Sequence, residues 1–292
     1  MKTVNPARGK GPHTPFFLPL VTLLLTGLCL PVSSPAAQFD LWLEASQDDL
    51  GIDDYYGELG ITLDNGVVLQ LGAGSTDYND NGTSVTPGTT VIGISAPLDQ
   101  SFVPALRLET WEAEGVMKTA TLRVDLSLNL DNWTLRATPL FKNIELAVYP
   151  LIGPPRTVDT EGQGLEAAVT WYGLEDWSFG ASAGGYSYEK DLTLLNTRLA
   201  ARVFSEQALT SSSALLDSWW NLSLDRYTSW GSLGASYGVT TSAVTLTDAD
   251  NLAVNVNWDL TPTLALYVEL GETRPEGGGS NAYTRAALNV RW

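Results

Sequence analysis

From residue 39 onward, apolar and polar side chains exchange places at every second position, in windows separated by Gly, Asn, Asp and Pro clusters. Successive strand side chains point to opposite faces, so each window reads as a strand with one oily and one polar side. The last segment is the clearest. Ala282, Thr284, Ala286, Leu288, Val290 and Trp292 share one face, and Tyr283, Arg285, Ala287, Asn289 and Arg291 share the other. Likewise Leu122, Val124, Leu126, Leu128 and Leu130 oppose Thr121, Arg123, Asp125, Ser127 and Asn129. A soluble sandwich also alternates, and strand length separates the two. Globular strands run to about 5–6 residues, whereas a strand crossing a bilayer needs about 9–11. The window 117–130 exceeds the longer figure. No later run approaches 18 consecutive apolar residues, which excludes a helical membrane protein.

These windows predict an all-β, single-domain, up-and-down antiparallel transmembrane β-barrel. Tryptophans near window ends (Trp42, Trp111, Trp133, Trp171, Trp177, Trp230, Trp258 and Trp292) suit interfacial girdles. Short turns such as Asp64-Asn65-Gly66 and Leu130-Asp131-Asn132 contrast with longer connections such as 74–89 and 240–251, as periplasmic turns do with outer loops. The windows number 16, with two open assignments. In 133–151 the apolar phase passes from Trp133, Leu135 and Ala137 to Ile144, Leu146 and Val148, which calls for either a hairpin at Lys142-Asn143 or a bulge in one strand. Segment 193–204 is a strand or part of a long loop. Losing both leaves 14 strands.

The first 36 residues have a different character. Lys2, Arg8 and Lys10 precede an apolar core, Phe16 to Leu30, and Ser33-Ser34-Pro35-Ala36 supplies small residues behind it. That order is a secretory signal peptide with cleavage after Ala36, so residues 1–36 are the leader and 37–292 the barrel domain. A lipid anchor at Cys29 fits less well, because Leu28 precedes it. The only cysteine and the only histidine, Cys29 and His13, leave with the leader. The rest has no thiol nucleophile, imidazole base or Cys/His metal site, and an enzyme is not expected. All 33 acidic residues remain against 13 basic ones (16 less the three in the leader), a net charge of −20. Nucleic acid is excluded as a partner, since phosphates need Lys and Arg.

With a leader, long alternating strands and the ending Leu288, Val290, Trp292, the chain resembles the outer-membrane β-barrel superfamily of Gram-negative bacteria. The resemblance implies insertion by the barrel assembly machinery, which reads such endings. It also implies contact with outer-membrane lipid and lipopolysaccharide. Barrels of that group with known catalysis use a histidine, which this domain lacks.

Charge on the polar strand faces marks the candidate site. Arg107, Arg123, Arg136, Arg198, Arg202, Arg285 and Arg291 share those faces with Glu109, Asp125, Glu145, Glu166, Asp217 and Glu269. A Lys or Arg facing lipid at mid-depth costs about 2–4 kcal/mol, so these groups are expected in the lumen. They predict a water-filled, porin-like channel for small solutes or ions. The same residues could instead cross-link a plugged, non-conducting barrel that acts through its acidic outer loops. Gly180, Ser182, Gly184, Ser232, Gly234 and Ser236 leave space on part of the wall, on the side of a pore. No cofactor is called for. Asp77, Asn79 and Asn81, followed by Gly82, match the front half of a calcium loop that could bridge lipopolysaccharide phosphates. Gly88 stands where the bidentate Glu belongs, so a solvated turn is the simpler reading.

Overall fold

The structure, a computed structural model, describes residues 37–80, 83–99, 101–148, 156–195 and 215–292. The predicted leader and its cleavage point lie outside the described residues. The alternating windows become β1 (Ala37–Asp48), β2 (Asp53–Leu63), β3 (Val68–Asp80), β4 (Thr83–Val85), β5 (Gly88–Ser95), β6 (Phe102–Ala113) and β7 (Met117–Leu130). They continue as β8 (Trp133–Val148), β9 (Arg156–Leu174), β10 (Trp177–Tyr188), β11 (Leu216–Thr228), β12 (Gly231–Ser242), β13 (Asp248–Thr261), β14 (Leu264–Pro275) and β15 (Asn281–Arg291). Apart from β4, strands consecutive in sequence pair antiparallel, and β15 returns to β1 with Leu43 opposite Leu288 and Ala45 opposite Ala286. The ring closes on 14 strands. β4 stands outside it, folded back on the end of β3. Closure leaves no sheet edge, so the backbone polar groups of each strand are satisfied within the sheet even in lipid. At the seam, Phe39 and Trp292 exchange backbone hydrogen bonds of 2.9 and 3.0 Å, and their rings stack at 5.6 Å.

The lower of the two strand counts is thus the observed one, and both open assignments resolve against an extra strand. β10 pairs directly with β11, so no barrel strand lies between them. Leu192–Leu195 form a single 3-10 turn there, and residues 196–204 of the predicted window lie outside the described residues. Lys142-Asn143 is neither a turn nor a bulge. β8 keeps one register against β9 from Trp133 opposite Trp171 to Val148 opposite Arg156. From Trp133 to Ala147 its odd-numbered residues face out, as the exposure of Leu135 and Phe141 shows, and its even-numbered ones face in. Leu140, Ile144 and Leu146 are buried inside the barrel, while Asn143 and Glu145 stand exposed outside it.

Large apolar side chains cover the outer surface over the middle of the strands: Leu71, Ile92, Leu106, Leu122, Leu222 and Leu270 are each more than one-third exposed. A contiguous oily surface of this kind belongs in lipid rather than water. One end of the barrel has tight turns, among them residues 131–132, 175–176, 229–230 and 262–263. In another turn at this end, the Asp99 carboxylate accepts the Ser101 and Phe102 N–H groups at 2.7 Å each, which holds its pKa below the usual range. The opposite end has the longer connections, including 149–155 and 189–215. Short turns at one end and longer connections at the other are the asymmetry common to barrels that cross a membrane. Trp133, Trp171 and Phe179 cluster on the lipid side near the tight turns, with centroids 6.1 and 5.6 Å apart. Trp220 and Tyr237 pair edge-on at 5.5 Å farther up the outer surface. Trp42 and Trp111 depart from the girdle expectation. Both point inward: the Trp42 indole donates to Glu44 at 3.0 Å, and Trp111 is buried.

Candidate functional site: the lumen

Strand phase places Arg107, Glu109, Arg123, Asp125, Arg136, Glu269, Arg285 and Arg291 on the inner face of the barrel, and most of them join ion-paired clusters. On β7–β9, Glu166 receives Arg123 at 3.2 Å and Arg136 at 2.7 Å on its two oxygens. Beside it the Thr138 hydroxyl donates to Asp125 at 2.6 Å. On the wall formed by β14, β15, β1 and β2, Arg285 lies 3.1 Å from Glu44 and 3.5 Å from Glu269. Arg107 reaches across to Glu58 at 3.3 Å. Arg291 pairs with Asp40 at 3.3 Å near the tight-turn end. Arg198 and Arg202 lie outside the described residues. Glu145 was expected in the lumen and faces outward instead, because β8 holds its phase.

Several lumen groups escaped the sequence reading. Glu44 and Glu58 complete the ion pairs of Arg285 and Arg107. Their even-numbered positions in windows that start at 39 and 55 carried that information. Lys142 is buried with its ammonium 4.4 Å from the centre of the Tyr186 ring. It was obscured because the apparent phase switch made its orientation ambiguous.

Inward tyrosines lie against glycines of the next strand. A Cβ on Gly72 would sit 2.3 Å from the Tyr56 hydroxyl, and one on Gly271 would sit 2.2 Å from the Tyr283 ring. Glycine at these points leaves room for the tyrosine side chain of the neighbouring strand. Trp219 occupies the space above Gly184 in the same way, so the small residue there seats a ring and does not by itself open the lumen. Hydroxyls of this set bind the carboxylates: Tyr56 donates to Glu58 at 2.5 Å, and Tyr267 to Glu269 at 2.5 Å. Tyr283 donates to the other oxygen of Glu269 at 3.2 Å.

Within the loop-bearing half lies a cavity of about 530 Å³. It is lined by Tyr56, Tyr283, Arg107, Arg285, Glu44 and Glu109, among others. Beyond it is an apolar cluster. Leu192, Leu215, Ala243 and Val244 come from the connections after β10 and β12, and they pack on Met117, Ile144, Leu146 and Trp111 of the inner wall. Two outer connections therefore reach back into the mouth.

The calcium candidate takes another form. Asp77 and Asn79 lie in β3, and Asn79 pairs with Ser84 of β4 in an extended ladder. Asp77 accepts the Thr86 hydroxyl at 2.7 Å. Asn81 lies outside the described residues. Among the described residues no three His, Cys, Asp or Glu side chains gather as a metal site.

No family model matches the sequence, and no curated relative matches it. The likeness is in three dimensions. The chain is similar to the CymD monoaromatic hydrocarbon channel at a TM-score of 0.53 and 8% identity, over 88% of each chain. It is similar to the NanC porin at 0.47 and 11% identity, over 86% of this chain and 98% of that one. For OccK3 (OpdO) of Pseudomonas aeruginosa the values are 0.44 and 10%, over 88% and 95%. At these identities the first similarity speaks for fold alone, and it agrees with the strand pairing: this is a closed, 14-stranded antiparallel barrel.

Proposed function

We propose that the protein is a passive channel that carries small solutes or ions across the outer membrane of a Gram-negative bacterium. The observation that carries the reading is the inward face. Charged and hydroxyl-bearing residues make up most of the lining of a cavity of about 530 Å³, which stays open beside the apolar cluster at the mouth. A barrel whose role was only structural could fill this space with packed side chains, at no cost in buried charge. The lumen offers no imidazole or thiol, since residues 37–292 contain neither His nor Cys, and the proposal gives it no bond-making step. Residues 1–36 serve as the export signal in this reading. Leu288, Val290 and Trp292 are the ending presented to the assembly machinery, and the oily belt contacts lipid and lipopolysaccharide. Reconstitution into planar bilayers tests the channel: discrete, stable current steps are expected. A folded barrel, identified by heat-shifted gel mobility, that passes no current would refute it.

A further inference from the structure

The lumen is chemically lopsided around its cavity. Glu44, Asp48, Asp54 and Glu109 line it with Arg107, Lys142 and Arg285. Glu58 and Glu269 sit on two of those cations from just beside the cavity. Six carboxylates thus face three cations, a formal charge of −3. The pairing is uneven as well. Arg285 is held between two carboxylates and Arg107 is held by Glu58, so carboxylate neighbours already offset the positive groups. On the same lining, Tyr56 and Tyr283 lie over glycines of the next strand, so aromatic rings form part of the cavity wall. Carboxylates attract a cation at long range, and the negative face of an aromatic ring attracts it again at contact, most of all when the cation carries alkyl groups.

From this we infer that the lumen selects cations over anions, and that its cavity accommodates organic ammonium solutes. The inference rests on the channel reading and specifies its substrate class. Low-dielectric walls focus the field of −3 into the passage. An interior potential of only one kT enriches cations and depletes anions by e-fold each, a permeability ratio of about sevenfold. Removing two of the three excess charges leaves a third of that potential and lowers the ratio to about twofold.

Three recordings on the folded chain test this. Under a tenfold potassium chloride gradient, the sign of the reversal potential should show potassium preferred over chloride; equal or anion-favouring permeability overturns the inference while leaving the channel standing. The double variant Asp54→Asn and Glu109→Gln, which removes none of the ion pairs of Arg107 and Arg285, should pass a smaller current, since fewer cations are drawn in, and lose most of that preference; an unchanged ratio overturns the assignment of the field to this cavity. With choline replacing potassium on one side, the choline-to-potassium permeability ratio should exceed the ratio of their free mobilities in water. A lower ratio means that the rings do not receive ammonium ions, and overturns that part. No current from a folded barrel would refute the channel itself, a result distinct from an open but unselective one.

Discussion

Glu166 is the point in the lumen where a single neutralisation should be felt most. Its side chain is 8% exposed, and its two oxygens hold Arg123 and Arg136 at 3.2 and 2.7 Å. Glu166→Gln preserves the shape, keeps one acceptor and removes the charge. Two guanidinium groups then face each other across one neutral amide. Breaking a buried ion pair costs about 3–5 kcal/mol where both partners are desolvated. Here the arginines are 28% and 41% exposed, so water in the lumen screens them and lowers the cost toward the exposed-pair range. The expected loss is about 1–3 kcal/mol, between those limits. Urea unfolding from lipid vesicles, followed by tryptophan fluorescence and gel mobility, measures it. The same logic makes Arg136→Met less costly in the Glu166→Gln background than in the parent, because it relieves the repulsion. A Glu166→Gln barrel within about 0.5 kcal/mol of the parent, together with additive effects in the double variant, would refute the claim that one carboxylate bridges two arginines.

Further outcomes follow from the same geometry. Leu222 and Asn221 are adjacent on β11 and point to opposite sides. Leu222→Arg should lower stability in vesicles by about 2–4 kcal/mol, and Asn221→Arg by much less, so similar losses would contradict the assigned phase. Gly72→Val should displace Tyr56 from the wall and from Glu58, at about 1–3 kcal/mol in the same unfolding assay. Calorimetry with millimolar calcium should show no binding heat at Asp77 and Asn79. Residues two apart on a strand lie about 6.6 Å apart, whereas calcium ligands converge within about 2.3–2.6 Å of the ion. A saturable heat lost in Asp77→Asn would contradict this.

Much of the barrel was legible because lipid imposes a strict rule on half of each strand. The long alternating windows predicted the strands, and the same alternation sets the strand face on which arginines such as Arg107 and Arg285 stand. Their partners were harder to read. That Arg285 meets Glu44 depends on β15 returning to β1, a closure across the whole chain that no local window encodes. Glycine was also ambiguous. Gly184 reads as empty space in one dimension, but in three it seats Trp219 from the neighbouring strand.

The phase change in β8 was misleading for a physical reason that helps to locate the membrane. A strand of 16 residues, paired with one of 19, is longer than the bilayer requires. Its surplus stands above the lipid on the loop-bearing side. There the outward positions meet water, and the outer face bears Glu145 between Lys118 and Asp159, and Asn143 opposite Glu161. The inward positions meet the returning connections, so they become apolar: Ile144 and Leu146 pack under Leu192 and Val244. The rule of oil outside and charge inside therefore reverses where lipid ends, with no change in backbone register. Between Phe141, the last exposed apolar residue on the outer face of β8, and Glu145, the strand leaves the hydrocarbon. An inversion of hydrophobic phase within one long window is therefore a sign of the bilayer boundary as much as of a turn.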